Sequence, residues 1–300
     1  MAVKKWVGGT ASFTTDANTT TNYSPVGVPT TGDDLYIDAG TGTIYSITTS
    51  LSALSAVTLN SLNISQSYTG SIGLSSAYLQ VSATTVNIGQ QFGGATVGNG
   101  SPLIRLNLGT VTSTVNIYNT AKTSALAGAG PVTILGTHTS STLNVMNGIV
   151  SVAVDPLESS TFNTVNNSGT LYFGPSVTLS VINANAGSTT IRSACGTVNL
   201  TGGSLLTAGS GTLGLLQAYS GTASILSNGT ISTINIYGAS VDMSGDPRPK
   251  TVTNCTIYSG SLNADTGVKG SVTFTNPITI RASAGRFSLS LPQGITLAPA

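Results

Sequence analysis

One short phrase recurs along this chain: a hydroxyl residue, an aliphatic, Asn, then a second aliphatic. It stands as SLNIS from Ser61, TVNIG from Thr85, TVNIY from Thr114, TLNVM from Thr142, TVNLT from Thr197 and TINIY from Thr233, with a degenerate TLYFG at Thr170. Successive starts are about 24 to 29 residues apart, with one longer step of about 36. A phrase returning at that period marks a repeat that cannot bury its apolar face alone and must stack on its neighbours. Between copies the chain alternates with period two, as in Ser71-Ile-Gly-Leu and Ser224-Ile-Leu-Ser. Gly or Asn-Gly punctuates these runs, which is strand and turn chemistry, and no helical periodicity accompanies it.

The pattern predicts an all-β fold, a parallel β-helix (β-solenoid). Each coil is expected to span about 25 residues with three short strands and three turns, and about ten coils to cover residues 43–280, stacked about 4.8 Å apart. In register, the Asn side chains would form amide ladders along the stack. An antiparallel sandwich or barrel also accommodates short alternating strands, and the irregular step lengths leave it open.

Composition narrows the function classes. Only 6% of the 300 residues are charged and the net charge is +1, against about 25% charged in ordinary soluble domains. Ser, Thr, Asn and Gly supply the missing polarity, while 39% hydrophobic residues argue for a folded chain. The densest basic groups, Lys4-Lys5 and Arg248-Pro-Lys250, read as solvated ends or loops. Nucleic-acid binding, which needs a basic stripe, is therefore not expected. No apolar run reaches the roughly 18 residues of a membrane span, so no membrane partner is expected. Lys4-Lys5 are not followed by an apolar stretch, so we expect no secretory signal peptide, synthesis in the cytoplasm and no export by the usual route. Cys195 and Cys255, the two cysteines, lack a CxxC partner or a His at metal spacing. They read as buried free thiols, with a disulfide between adjacent coils as the alternative.

A solenoid must cover its end strands. The opening runs Trp6-Val-Gly-Gly, Asn22-Tyr-Ser, Val28-Pro and Gly32-Asp-Asp-Leu-Tyr-Ile-Asp38. It resembles the opening of many β-helical phage and bacterial surface proteins, with Tyr23 where a second Trp is usual. The resemblance covers about forty residues, implies a cap on a β-helix, and implies no activity. Residues 1–42 are then an N-terminal cap or attachment segment, 43–273 the repeat domain, and 274–300, with Arg281 and Arg286, a C-terminal cap or docking tail.

Catalytic chemistry has little to draw on. Glycan hydrolysis needs two carboxylates across a groove, and the chain has nine acids. Asp33, Asp34 and Asp38 belong to the opening motif, where capping and turn roles fit. Asp155 and Glu158 lie in a Pro-containing loop. Asp242 and Asp246, beside Pro247-Arg248-Pro249-Lys250, form the best enzymatic candidate, although solvation of an exposed loop explains them as well. His138 is the single histidine and reads as a polar turn residue without an HExxH or GxSxG context. Gly98-Asn-Gly100 and Gly128-Ala-Gly130 lack the helix or Lys that phosphate cradling needs. Sequons such as Asn228-Gly-Thr230 follow from composition. The Thr pairs at Thr48-Thr49, Thr110-Val-Thr112 and Thr137-His-Thr139 are too scattered for an ice-binding face.

No catalytic, cofactor or metal residues are therefore assigned. The resemblance and the missing export signal lead us to expect a non-enzymatic bacteriophage virion protein. It would decorate the capsid surface, contact the major capsid protein or other virion proteins, and form a homo-oligomer with a trimer favoured. A surface adhesin of the autotransporter-passenger type and a tailspike-like polysaccharide depolymerase are the alternatives.

Overall fold

The computed structural model describes residues 2–9, 12, 14–38, 45–90, 103–120, 132–136, 138–281 and 286–299. The chain forms two compact units, Met1–Asn163 and Thr164–Ala300. Each is a parallel β-solenoid, so the antiparallel alternative does not apply. The two Gly-rich pieces, Gly98–Gly100 and Gly128–Gly130, lie outside the described residues, as do Thr137 and the expected boundary at 42/43.

In the first unit one sheet stacks Val3–Trp6, Asp34–Ile37, Thr58–Ser65, Ser82–Gln90, Thr114–Ile117 and Thr142–Val145 in parallel order. A second sheet stacks Leu79–Gln80, Ile104–Asn107, Val132–Leu135 and Ile149–Val152. In the second unit the strands Val177–Ala184, Cys195–Leu200, Leu213–Ala218, Ile231–Ile236 and Lys250–Ile257 form the first sheet. Thr170–Phe173, Ser188–Ile191, Ser204–Thr207, Thr222–Ile225, Ser240–Asp242 and Gly260–Asn263 form its second. The described residues thus give two strands per coil, where three were expected. A coil of 16 to 18 residues, as between Thr189, Leu205 and Ala223, holds two strands and two turns.

Alternation does the folding locally. Along Thr114–Ile117 the burial runs exposed, buried, half-buried, buried, so Val115 and Ile117 enter the core and Asn116 faces out. Identical positions then stack: Leu62, Val86, Val115 and Leu143 in the first unit, and Ile182, Val198, Leu216, Ile234 and Cys255 in the second. All nine are buried, and each fully buried aliphatic contributes about 1.5 to 3 kcal/mol.

The outward Asn residues form the anticipated ladders. In the first unit the Nδ2 of Asn87 donates to Asn63 Oδ1, Asn116 to Asn87 and Asn144 to Asn116, at 2.8, 3.0 and 2.9 Å. In the second, Asn183 donates to Asn166 and Asn199 to Asn183, both at 2.8 Å.

Tight turns between coils require glycine where a carbonyl of the preceding coil lies against the Cα. Gly203 has φ +68°, and a Cβ there would lie 2.4 Å from the Gly187 carbonyl oxygen. Gly187, Gly221 and Gly260 repeat the arrangement in neighbouring coils. Only glycine combines that backbone with that approach.

The opening motif folds as a cap in the first unit. Tyr23–Ser24 pairs antiparallel with Lys5 and Trp6 on the outer edge of the first sheet. Trp6 is buried, meets Tyr23 edge-to-face at 5.3 Å, and donates its indole N–H to Tyr45 O. Gly8 and Gly9 have positive φ, and Tyr45 occupies the space a Cβ would need at each. The Tyr23 hydroxyl donates to Ala17 O at 2.7 Å. Residues 274–299 contribute Ile278–Ile280 and Leu297–Pro299 to the first sheet of the second unit and Phe287–Ser290 to its second.

Candidate functional site

Each of the nine carboxylates accepts a hydrogen bond from its surroundings. In the cap, Asp33 receives the N–H groups of Thr30 and Ala2 and the Thr30 hydroxyl, at 2.7 to 3.0 Å. Those donors, the Thr30 N–H foremost, hold its carboxyl below the ordinary range. Asp34 accepts from Asn60 and Ser61, and Asp38 from Ser67 with Lys5 at 3.7 Å. Asp16, whose carboxyl is lowered chiefly by the Ser50 hydroxyl, also takes the Asn18 N–H. Asp265 takes the Gly267 N–H.

The loop that carries the best enzymatic candidate is tied together by its own charged side chains. Asp246 pairs with the Arg248 guanidinium and accepts the Arg248 N–H at 2.9 Å. The guanidinium contact pulls its carboxyl down to about 2. Lys250 was expected to be solvated, yet it is 2% exposed and donates Nζ to Asp246 O at 2.6 Å. Its strand begins there, so the side chain turns inward under the loop that carries its acceptor. Burial lowers the Lys250 amine. Asp242 accepts the Ser244 N–H and hydroxyl at 2.9 and 2.7 Å, closing a turn. The two carboxylates take part in separate local hydrogen-bond networks.

Asp155 and Glu158 lie in a loop of the first unit. Leu157 N–H donates to Asp155, and the Tyr78 hydroxyl donates to Glu158 Oε1 at 2.6 Å. Arg105 reaches the same hydroxyl at 3.2 Å, with its guanidinium carbon 5.3 Å from the Tyr78 ring centroid. Burial raises the Tyr78 phenol above its ordinary value. Tyr78 borders a cleft of about 580 Å³ whose wall includes Thr48, Ser50, Ser52, Gln80 and Asn107. His138 stays on a turn, where its ring contacts the Thr112 hydroxyl and accepts the Ser140 N–H. Among the described residues no three His, Cys, Asp or Glu side chains cluster as metal ligands, and no helix is long and apolar enough to cross a membrane.

Cys195 and Cys255 are buried free thiols. The register explains why they do not pair. Cys195 stacks on Leu213, Ile231 and Val252, so the coil of Cys255 is three strand spacings away, about 14 Å and too far for a disulfide. Burial pushes both thiols up to about 12.

A column of tyrosines stands in the second unit, at a turn position whose importance is not visible in the phrase repeat. Tyr219, Tyr237 and Tyr258 each follow a first-sheet strand, and each donates its N–H to the coil before, at 2.8 Å. Their rings stack at 4.7 and 4.6 Å with interplanar angles of 9° and 14°. The same backbone position is Asn185 and Thr201 in the preceding coils and Arg281 in the following one. Their spacings of 18 and 21 residues become meaningful only once the coil length is known.

No family model matches the chain, and neither a curated protein nor a solved structure matches it.

Proposed function

We propose that this chain is a non-enzymatic structural protein of a bacteriophage virion that decorates or stabilises the capsid surface through protein–protein contacts. The observation that carries the reading is the N-terminal cap. The residues that resemble the openings of β-helical phage proteins (Trp6, Gly8, Gly9, Asn22, Asp33) act together in one closure: Trp6 on Tyr23, the glycines against Tyr45, Asn22 receiving the Val7 N–H, and Asp33 tying Ala2 to Thr30. The acids support the same reading, because each accepts hydrogen bonds from its own turn, loop or neighbouring strand. A charge-poor surface rich in hydroxyl and amide groups suits extended hydrogen-bonded contact with other virion proteins. The major capsid protein is the partner we assign, and a homotrimer the state in which the chain would bind.

The test is sedimentation of the purified chain with and without capsids of the phage that encodes it. Co-sedimentation with capsids, and a trimer alone, are the expected results. A monodisperse monomer with no affinity for capsids overturns the proposal.

A further inference from the structure

The tyrosine column of the second unit is unfinished at one end. Tyr237 is sandwiched between the rings of Tyr219 and Tyr258, whereas among the described residues Tyr219 has a ring on one side only, and it is 43% exposed. Beyond its other face the column continues with Thr201 and Asn185, both exposed and neither bearing a ring. Replacing rings by small side chains leaves a place one strand spacing deep, about 4.8 Å, in which another ring can stack on Tyr219.

The surroundings state the chemistry of that ring. The Tyr219 hydroxyl donates to Gln217 Oε1 at 2.6 Å, which fixes the ring plane. Thr201 Oγ1 donates to Asn185 Oδ1 at 3.0 Å, so a hydroxyl and an amide are held as a pair on the next two coils. Asn199 and Gln217, partners in register, extend this rim with amides. An aromatic face bordered by neutral hydroxyls and amides offers an apolar floor and orienting polar groups together. A pyranose chair has the matching form, with axial C–H bonds on one face and hydroxyls around its edge. An aromatic side chain from a partner protein would use the floor and leave the polar rim without a role. The rim side chains Asn185, Thr201, Asn199 and Gln217 carry no formal charge, which favours a neutral sugar over an acidic one.

We propose that Tyr219, with Thr201, Asn185 and Gln217, forms a subsite for one pyranose ring of a neutral glycan. The site does not depend on the structural role proposed above.

Saturation-transfer NMR on the full chain tests this, with methyl β-glucopyranoside, methyl β-galactopyranoside and diacetylchitobiose as probes. Irradiating the aromatic protons is expected to saturate the C–H bonds of one sugar face for at least one probe. Tyr219→Ala should weaken binding about tenfold or more. Thr201→Tyr should do the same by filling the place with a fourth ring, while keeping or raising the melting temperature, so loss of binding there cannot be attributed to unfolding. Tyr258→Ala, at the far end of the stack, should change affinity by less than about twofold. No transfer to any probe at about 10 mM, a concentration that detects even millimolar binding, overturns the proposal. So does binding that survives both Tyr219→Ala and Thr201→Tyr, or a place that takes indole in preference to all three sugars.

Discussion

The two units share one strand phrase and differ in how much chain each coil carries between strands. Consecutive ladder amides are 24, 29 and 28 residues apart in the first unit, and 17 and 16 apart in the second. In the second unit the coils are little more than strands and turns, so like positions superpose and form columns of glycine and tyrosine. In the first unit the described segments between strands hold what is irregular: the cleft beside Tyr78, the His138 turn and the Asp155–Glu158 loop. Short coils make a regular surface, and longer ones leave room for individual sites. A solenoid can do both without altering the core phrase, because the inward aliphatics stack regardless of how long the path between them is.

This contrast can be broken first at a glycine pressed against the coil before it. Gly203→Ala places a methyl 2.4 Å from a carbonyl of the coil before, on a backbone with φ +68°, and should cost about 3 kcal/mol or more in guanidinium unfolding followed by circular dichroism. Gly32→Ala in the first unit, with φ +89° and open space around it, should cost only about 1 kcal/mol. Equal costs would show that the close approach of the preceding coil does not set the tolerance.

The ladders give a smaller contrast. Asn116 both donates to Asn87 and accepts from Asn144, so Asn116→Ala should cost about 2 kcal/mol. Asn199 donates to Asn183 and is followed in register by Gln217, so Asn199→Ala should cost about 1 kcal/mol in the same assay. Reversal of that order would place the stability of the ladder elsewhere.

The thiols sharpen the comparison further, since both lie in the second unit. With burial pushing each thiol up to about 12, a colourimetric disulfide reagent at neutral pH should find neither in the native protein and both in denaturant. Labelling of the native chain would then report opening of the second unit alone. Rapid native labelling would contradict the packing of Cys195 and Cys255.

The smallest effect is electrostatic. The Asp246 carboxyl releases its proton more readily when folded, at about 2, than at the roughly 3.9 of an unfolded chain. Its contribution is therefore complete above about pH 4 and disappears as the pH falls through about 2. Asp246→Asn should flatten the melting temperature over that acid interval, and an unchanged acid profile would remove Asp246 as its cause.

The class of fold was legible because the repeated phrase carries both periodicity and side-chain chemistry. Six of its copies, from Ser61 to Thr233, lie on the first sheets. The seventh, TLYFG at Thr170, belongs to a second sheet. Both sheets alternate inward and outward with the same period, so alternation alone cannot tell them apart. The long step before Thr233 hid a complete coil, Leu213–Ala218, in which Gln217 stands where the ladder has Asn. Val181-Ile-Asn-Ala was missed because Val replaces the hydroxyl residue. Without the true coil length the tyrosine column is not visible in the sequence. The burial of Lys250 was equally hidden, since its acceptor is a backbone carbonyl four residues earlier, and sequence does not say where a carbonyl points.

The cap has a spectroscopic consequence. Trp6 is the chain's single tryptophan, shielded from water and tied through its indole to Tyr45. Its emission therefore shifts to the red when the closure opens, and it senses only the first unit. The cysteines mark the other unit chemically. The protein thus carries two native reporters, one optical and one chemical, that never observe the same half of the chain. Whether their transitions coincide tells directly whether the long coils and the short ones melt as one cooperative body.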